Sequence, residues 1–305
     1  MSILVALLGN AVLAAVGVTD KFILTKTVSK PVVFVFYSTI FILAFFLVLP
    51  FGFVYMPSVW TDYLIFIISG GCFFFALWAM YNAIQESEVS RASPLIGAVA
   101  PFFILFLSRI FLYEQLTGQS LIGAGFLILG SLIISFEKKQ TSGMWHDGLG
   151  WAVLSGLLFA ISHVASKYAF DSYGFISGFV WTKLPIGIFA ASLLLLNADV
   201  RALFIKKPDA LPEKMPKKKQ VLFVGLGVGL GVVATILLQY AMSLGSVSLV
   251  NAMSGVQYAL LIIFVAIISK FFPFILKETF TRRQVIHKAA AIIIIAFGLL
   301  LLVLS

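Results

Sequence analysis

Long uncharged apolar runs alternate along the chain with short stretches that hold nearly all the charge. Ten runs reach the roughly 20 residues a helix needs to cross a bilayer: 3–21, 31–50, 63–85, 91–112, 118–136, 148–169, 174–196, 220–243, 247–269 and 285–304. Glycine and proline inside these runs do not veto helix, because membrane helices tolerate both. Most connections are short. The longest, 197–219, is rich in lysine and proline, and none is long enough for a folded extramembrane domain. The pattern predicts an all-α membrane protein of ten transmembrane helices. The first run lacks the basic start and small-residue cleavage site of a signal peptide and reads as a retained helix.

Composition sharpens this picture. Of the 305 residues, 61% are apolar and 11% charged, against about 25% charged in an ordinary soluble domain. That excludes water-soluble catalytic domains, disordered tails and nucleic-acid-binding folds as the main content. The single cysteine, Cys72, excludes an internal disulfide. His146, His163 and His287 lie far apart with no ligand spacing, so neither a metal nor a cofactor is expected. The net charge of +9 sits in loops, where Lys and Arg set orientation and meet anionic membrane lipid rather than nucleic acid.

The chain also repeats itself. A shift of 146 residues lays Ala14 on Ala160 and Lys21 on Lys167. A shift of 158 lays Ala83 on Ala241, Val89 on Val247, Ser90 on Ser248 and Gly97 on Gly255. The shift changes where the basic loop 197–219 replaces a shorter connection near 51–62. Ten spans then divide into five plus five, with repeats 1–145 and 146–305. Five crossings is an odd number, so the second repeat starts on the opposite side and the halves are inverted copies. Inverted repeats recur in secondary transporters, with the substrate near the midplane between them.

Residues 92–131 resemble the repeat-ending signature of the EamA-like branch of the drug/metabolite transporter (DMT) superfamily. The signature is a small-residue helix with a proline, an apolar stretch closing on a glutamate, then a leucine and two spaced glycines. Pro101, Glu114, Leu116, Gly123 and Gly130 occupy those positions, while Gln115 stands where the family often has Arg. The second copy keeps Glu278, but Ala259 and His287 face the Pro101 and Gly123 positions, and about six residues are inserted near Phe271–Leu276. The resemblance implies a ten-helix carrier of small organic solutes in the cell (plasma or inner) membrane, often an exporter, without naming the solute. It also implies cytoplasmic termini. The charge bias implies the reverse, since the odd-numbered loops carry sixteen of the 21 Lys and Arg residues.

Polar groups in hydrocarbon are costly and turn towards protein or water, so stripes at helical spacing mark candidate linings. Trp78, Tyr81, Asn82 and Gln85 form one. Ser155, Phe159, Ser162, His163 and Ser166 form another. Thr235, Gln239 and Met242, with Tyr240 beside them, form a third. Asn251, Ser254 and Tyr258, with Gln257 adjacent, form a fourth, and Asn10, Ala14, Gly17 and Lys21 a fifth. The shift of 158 lays Tyr81, Asn82 and Ser93 on Gln239, Tyr240 and Asn251. The plainer reading of each polar residue is hydrogen-bonding glue between helices. Lys183, near the middle of the seventh span, is the sharpest outlier. In a pocket it would hold a carboxylate or phosphate; otherwise it is satisfied by helix carbonyls or runs neutral. Lys21, Lys167 and Arg109 lie near span ends and snorkel. The spacing of Gly225, Gly227, Gly229 and Gly231 predicts close helix packing, or a helix that slides. The predicted substrate lining is Trp78, Tyr81, Asn82, Ser93, His163, Lys183, Gln239, Tyr240, Asn251, Gln257 and Tyr258.

All twelve carboxylates fall in loops or near span ends. This favours a facilitator or exchanger over a proton-coupled carrier, which would have to use His163 or Asp20. No GxxxxGK[ST] phosphate loop is present, and no recurring constellation supports an enzyme. The expected function is secondary transport of an amino acid or related metabolite by alternating access, in a monomer or weak homodimer. Efflux of amphipathic cations or drugs, and a non-transport membrane assembly role, are the alternatives.

Overall fold

The structure is a computed structural model that describes residues 1–26, 30–86, 89–135, 148–205, 217–271 and 282–304. Among these every regular element is helical, as lipid demands of a backbone that must satisfy its own hydrogen bonds. The elements are α1 (Ser2–Lys26), α2 (Pro31–Thr39), a 3₁₀ segment (Ile40–Phe51), α3 (Trp60–Glu86), α4 (Val89–Phe111), α5 (Gly118–Ser135), α6 (Leu149–Leu196), α7 (Ala198–Ile205), α8 (Lys217–Leu244), α9 (Val247–Ala252), α10 (Ser254–Phe271) and α11 (Arg282–Val303). Eight described segments are long and apolar enough to cross a membrane, and Gly118–Ile134 is a shorter apolar helix. The chain is an integral membrane protein. The side chains of Asp20, Lys21 and Arg91, and the sequence readings on His146, Glu278, the Phe271–Leu276 insertion and the middle of loop 197–219, lie outside the described residues.

Three predicted spans take an unexpected form. The run 31–50 is not one α-helix. The hydroxyls of Ser38 and Thr39 donate back to the carbonyls of Phe34 (2.7 Å) and Val35 (2.6 Å), which bends a helix. Beyond Thr39 the chain winds as a 3₁₀ helix to Phe51, an unusual length for that form. Conversely, 148–169 and 174–196 form one continuous element, α6, turned at Gly174 by φ 75° and ψ 170°, a conformation essentially restricted to glycine. Contacts with α3 show that the chain reverses there. Along α3, Asp62, Ser69 and Ala76 meet Tyr168, Ser166 and Ser155 in descending order. Phe66, Gly70 and Phe74 meet Trp181, Pro185 and Phe189 in ascending order. The two arms of α6 are therefore an antiparallel hairpin, both arms packed on α3.

The remaining helices pair antiparallel. On α1, Gly9 meets Leu238 of α8, and Ser2 meets Gly245 just beyond it. The two spaced glycines of the signature seat α11 against α5: Gly123 faces the Gly298 carbonyl, and Gly130 faces Ile295. Glu114 reaches across the chain. The Ser248 hydroxyl donates to its carboxylate, and Ser108 and Ser248 share a 2.7 Å hydrogen bond. The largest buried apolar cluster draws on both ends of the sequence, from Ala6 and Ile104 to Met242, Tyr258 and Leu302. Of the glycines of α8, Gly227 is buried, but the other three do not pack closely as predicted. A side chain at Gly225 or Gly229 would meet nothing within 4 Å, and one at Gly231 only Val16 at 3.9 Å. Helix α1 rests instead on Leu238 and neighbouring side chains of α8.

Candidate functional site

Two adjoining chambers open between the helices. The larger, about 270 Å³, is walled by α1, α3, α4, α6, α8, α9 and α10. The smaller, about 210 Å³, is walled by α1, α2, the 3₁₀ segment, α3, α6 and α8. Leu13, Val16, Phe73, Leu77, Met80 and Thr235 line both.

Six of the eleven predicted residues line the larger chamber: Ser93, His163, Gln239, Asn251, Gln257 and Tyr258. Tyr81 and Lys183 line the smaller one. Trp78, Asn82 and Tyr240 line neither. The Trp78 ring stands edge-on to Trp151. The Asn82 amide donates to its own helix at the Trp78 carbonyl, 2.7 Å away. Tyr240 is exposed and lies edge-on to Phe175. The serine stripe of α6 likewise divides by face. Phe159 and His163 reach the chamber, while Ser155 donates to the Ala76 carbonyl and Ser166 shares a hydrogen bond with Ser69. Those serines are glue between α3 and α6.

In the larger chamber the tyrosine ring of Tyr258 lies where a side chain at position 97 would be, so Gly97 is the seat that admits it. Ser254 fixes the same approach by donating to the Gly97 carbonyl at 2.9 Å. Asn251 donates to the Val247 carbonyl (2.8 Å) and to the Met242 sulfur (3.1 Å). Phe159 stacks on His163 at 5.9 Å between ring centroids. His163 Nδ1 and Gln239 Oε1 are buried without a hydrogen-bond partner. Buried polar atoms are rarely left unpaired, and both residues line an open chamber that can hold water or a polar ligand.

In the smaller chamber Lys183 is 2% exposed. Its ammonium stands 4.3 Å from the centre of the Phe73 ring and 5.6 Å from that of Phe179. No carboxylate lines either chamber among the described residues. Lys167, placed near a span end by the sequence, pairs with Asp171 at 2.8 Å. Asp62 is buried and accepts hydrogen bonds from Tyr168 (3.0 Å) and Tyr173.

Several lining residues escaped the sequence reading, among them Asn10, Thr235 and Phe73. Asn10 lies on a noted stripe but was not assigned to the site. Thr235 was likewise on a stripe only. Phe73, which lines both chambers and touches both Lys183 and His163, is one of 31 phenylalanines and carried no distinguishing signal.

Residues 1–136 match the EamA-like transporter family, the family whose signature was read at Pro101–Gly130. The match spans somewhat less than half of the 305 residues and is consistent with a DMT-type membrane transporter. A solved structure titled "Crystal structure of protein" superposes with a TM-score of 0.67 at 17% identity, covering 98% of each chain, which shows a shared fold. No curated protein matches the chain.

Proposed function

We propose that the protein is a secondary transporter that carries a small organic solute, an amino acid or related metabolite, across the cell membrane by alternating access, as an exporter or facilitated exchanger. The observation that carries this reading is the larger chamber itself. It is assembled from helices of both sequence halves, and it presents His163 Nδ1 and Gln239 Oε1 with no partner of their own. Counting each arm of α6 and the short α5 as crossings gives ten. The division into repeats 1–145 and 146–305 follows from that count.

The packing supports the repeat. Exchanging the halves carries α1 to the first arm of α6, α3 to α8 and α4 to α9 and α10. The contacts obey the exchange, with α1 packed on α8 and α10 as α6 is packed on α3 and α4. One seam breaks the equivalence, which favours alternation. Helix α3 is shut against the second arm of α6, where Gly70 faces Pro185 and Gly71 faces Phe189. Its counterpart lies between α8 and α2 with the 3₁₀ segment. There Gly229, the counterpart of Gly71, faces open space, and Gly227 and Gly231 line the smaller chamber opposite Phe34 and Ile42. Two states that exchange the shut and open seams would carry a solute between the two sides.

The test is exchange in reconstituted vesicles. Purified protein should swap an internal labelled amino acid for external solute, and Gln239→Ala or His163→Ala should slow that exchange at least about tenfold. Trp78→Ala and Tyr240→Ala should leave it near the starting rate. No exchange with any amino acid or related metabolite, or equal loss in both groups, would refute the reading.

A further inference from the structure

The smaller chamber is electrically incomplete. Lys183 is 2% exposed and is the one cation on the walls of either chamber among the described residues. Its described surroundings are ring faces, Phe73 at 4.3 Å and Phe179 at 5.6 Å. The hydroxyls on the same walls, those of Ser38, Thr39, Tyr81 and Thr235, are neutral and supply no countercharge. A ring face offers an ammonium about 0.5–2 kcal/mol, whereas removing an ion from water costs several kcal/mol even after relaxation. The rings alone do not offset that burial. A counter-anion delivered by a ligand would.

Charge counting narrows the ligand. A monoanion brings the occupied chamber to neutrality. A dianion, such as a phosphate monoester, would bring a second negative charge where the described walls hold no second cation. A cation would add to Lys183 where the described walls hold no carboxylate to balance either. A zwitterion would place an ammonium where the described walls offer no carboxylate. Beside the hydroxyls the wall is largely apolar, with Leu13, Ile42, Phe45, Leu77, Met80 and Val228.

We infer that the smaller chamber is an anion subsite for a monocarboxylate with an apolar body, its carboxylate on Lys183 and its body along Phe73 and Phe45. This rests on the transporter reading and narrows its substrate class from amino acids and related metabolites towards the carboxylates among them. It also disfavours amphipathic cations as cargo.

The experiment uses three probes that share a phenyl group and differ in charge: phenylacetate, phenylalanine and phenethylamine. Each is titrated against the purified full-length protein by thermal shift, because a ligand of the folded state raises the melting temperature by mass action. The same three are offered for exchange in vesicles. Phenylacetate should bind most tightly, phenylalanine more weakly, and phenethylamine not detectably. Lys183→Met should weaken phenylacetate about thirtyfold or more, and Lys183→Arg should recover part of the loss. Because the probe series is read on the unmodified protein, a variant that fails to fold does not blunt the test. Equal or tighter binding of phenethylamine, no binding of phenylacetate, or unchanged phenylacetate affinity in Lys183→Met would overturn the anion subsite. Exchange of phenylalanine or phenethylamine alongside any of those results would leave the transporter reading standing without it. Absence of exchange for every solute, with phenylacetate still held by Lys183, would instead strike the transporter reading.

Discussion

One chemical change, a glycine to alanine substitution, should have opposite consequences on the two helices that the proposed repeat makes equivalent. At Gly70 on α3, a new Cβ would stand 2.8 Å from the Pro185 Cβ, 2.9 Å from the Thr182 carbonyl oxygen and 3.1 Å from the Ile186 nitrogen. Two of these obstacles are backbone and cannot rotate away. Restoring ordinary contact requires α3 and α6 to part by roughly half an ångström or more, and overpacking of this kind costs about 1–3 kcal/mol. At Gly229 on α8 the same Cβ meets nothing within 4 Å. Both substitutions gain the same helix propensity, about 1 kcal/mol, so their difference isolates packing. Gly70→Ala should be less stable than Gly229→Ala by about 1–3 kcal/mol. At about 2 °C per kcal/mol for a chain of this length, that is a melting gap of about 2–6 °C, read by thermal unfolding in detergent micelles. Transport gives a second reading. If the open seam must shut on Gly229 in the opposite state, Gly229→Leu should melt near the parent temperature yet slow vesicle exchange severely. Equal melting temperatures for the two alanine variants would refute the packing argument. Full exchange by Gly229→Leu would refute the closure of that seam.

Three further substitutions probe the frame. Ser248→Ala removes the hydroxyl that donates to Glu114 and should lower stability by about 1–3 kcal/mol, seen as an earlier thermal transition. Asp62→Asn removes the charged acceptor shared by Tyr168 and Tyr173 and should cost about 1–3 kcal/mol, whereas Tyr173→Phe should cost less; equal melting of Asp62→Asn and the parent would contradict the buried contact. Gly97→Val should collide with the Tyr258 ring, lowering both melting temperature and exchange. Adding Tyr258→Ala should then recover part of the melting loss, the coupling expected of residues in direct contact.

The polar stripes led to the chamber walls because a hydrophilic group on a membrane helix has few places to go. His163, Gln239, Asn251, Gln257 and Tyr258 announce themselves against an apolar background, and Lys183 does so most strongly. Helical spacing could not separate neighbours on the rim of a stripe. Trp78 and Tyr81 are three residues apart on α3, yet Tyr81 reaches the smaller chamber and Trp78 turns to Trp151. Asn82 returns its amide to its own backbone, an option that sequence leaves open for any asparagine. The aliphatic and aromatic walls were hidden, since Phe73 looks like every other phenylalanine until Lys183 is found over it. The 3₁₀ course of Ile40–Phe51 was equally invisible: the hydroxyls of Ser38 and Thr39, which bond back to the helix just before it, are ordinary residues in the sequence. The glycines of α8 misled for a related reason. Their spacing permits close packing, but whether a partner sits on them is a property of the conformation, and here Gly225 and Gly229 face open space.

The central claim is a water-filled chamber that meets each side of the membrane in turn, and chemical access to it is the most direct measurement. Cys72 is the sole cysteine, so Cys72→Ser gives a background free of thiols. Gln239→Cys, introduced there on the larger chamber, should react with a membrane-impermeant maleimide from both faces of sealed vesicles of opposite orientation, and bound substrate should slow both reactions. A Leu300→Cys control on the exposed face of α11 should stay unreactive in lipid. Protection of Gln239→Cys from both sides, under all solute conditions, would contradict the account.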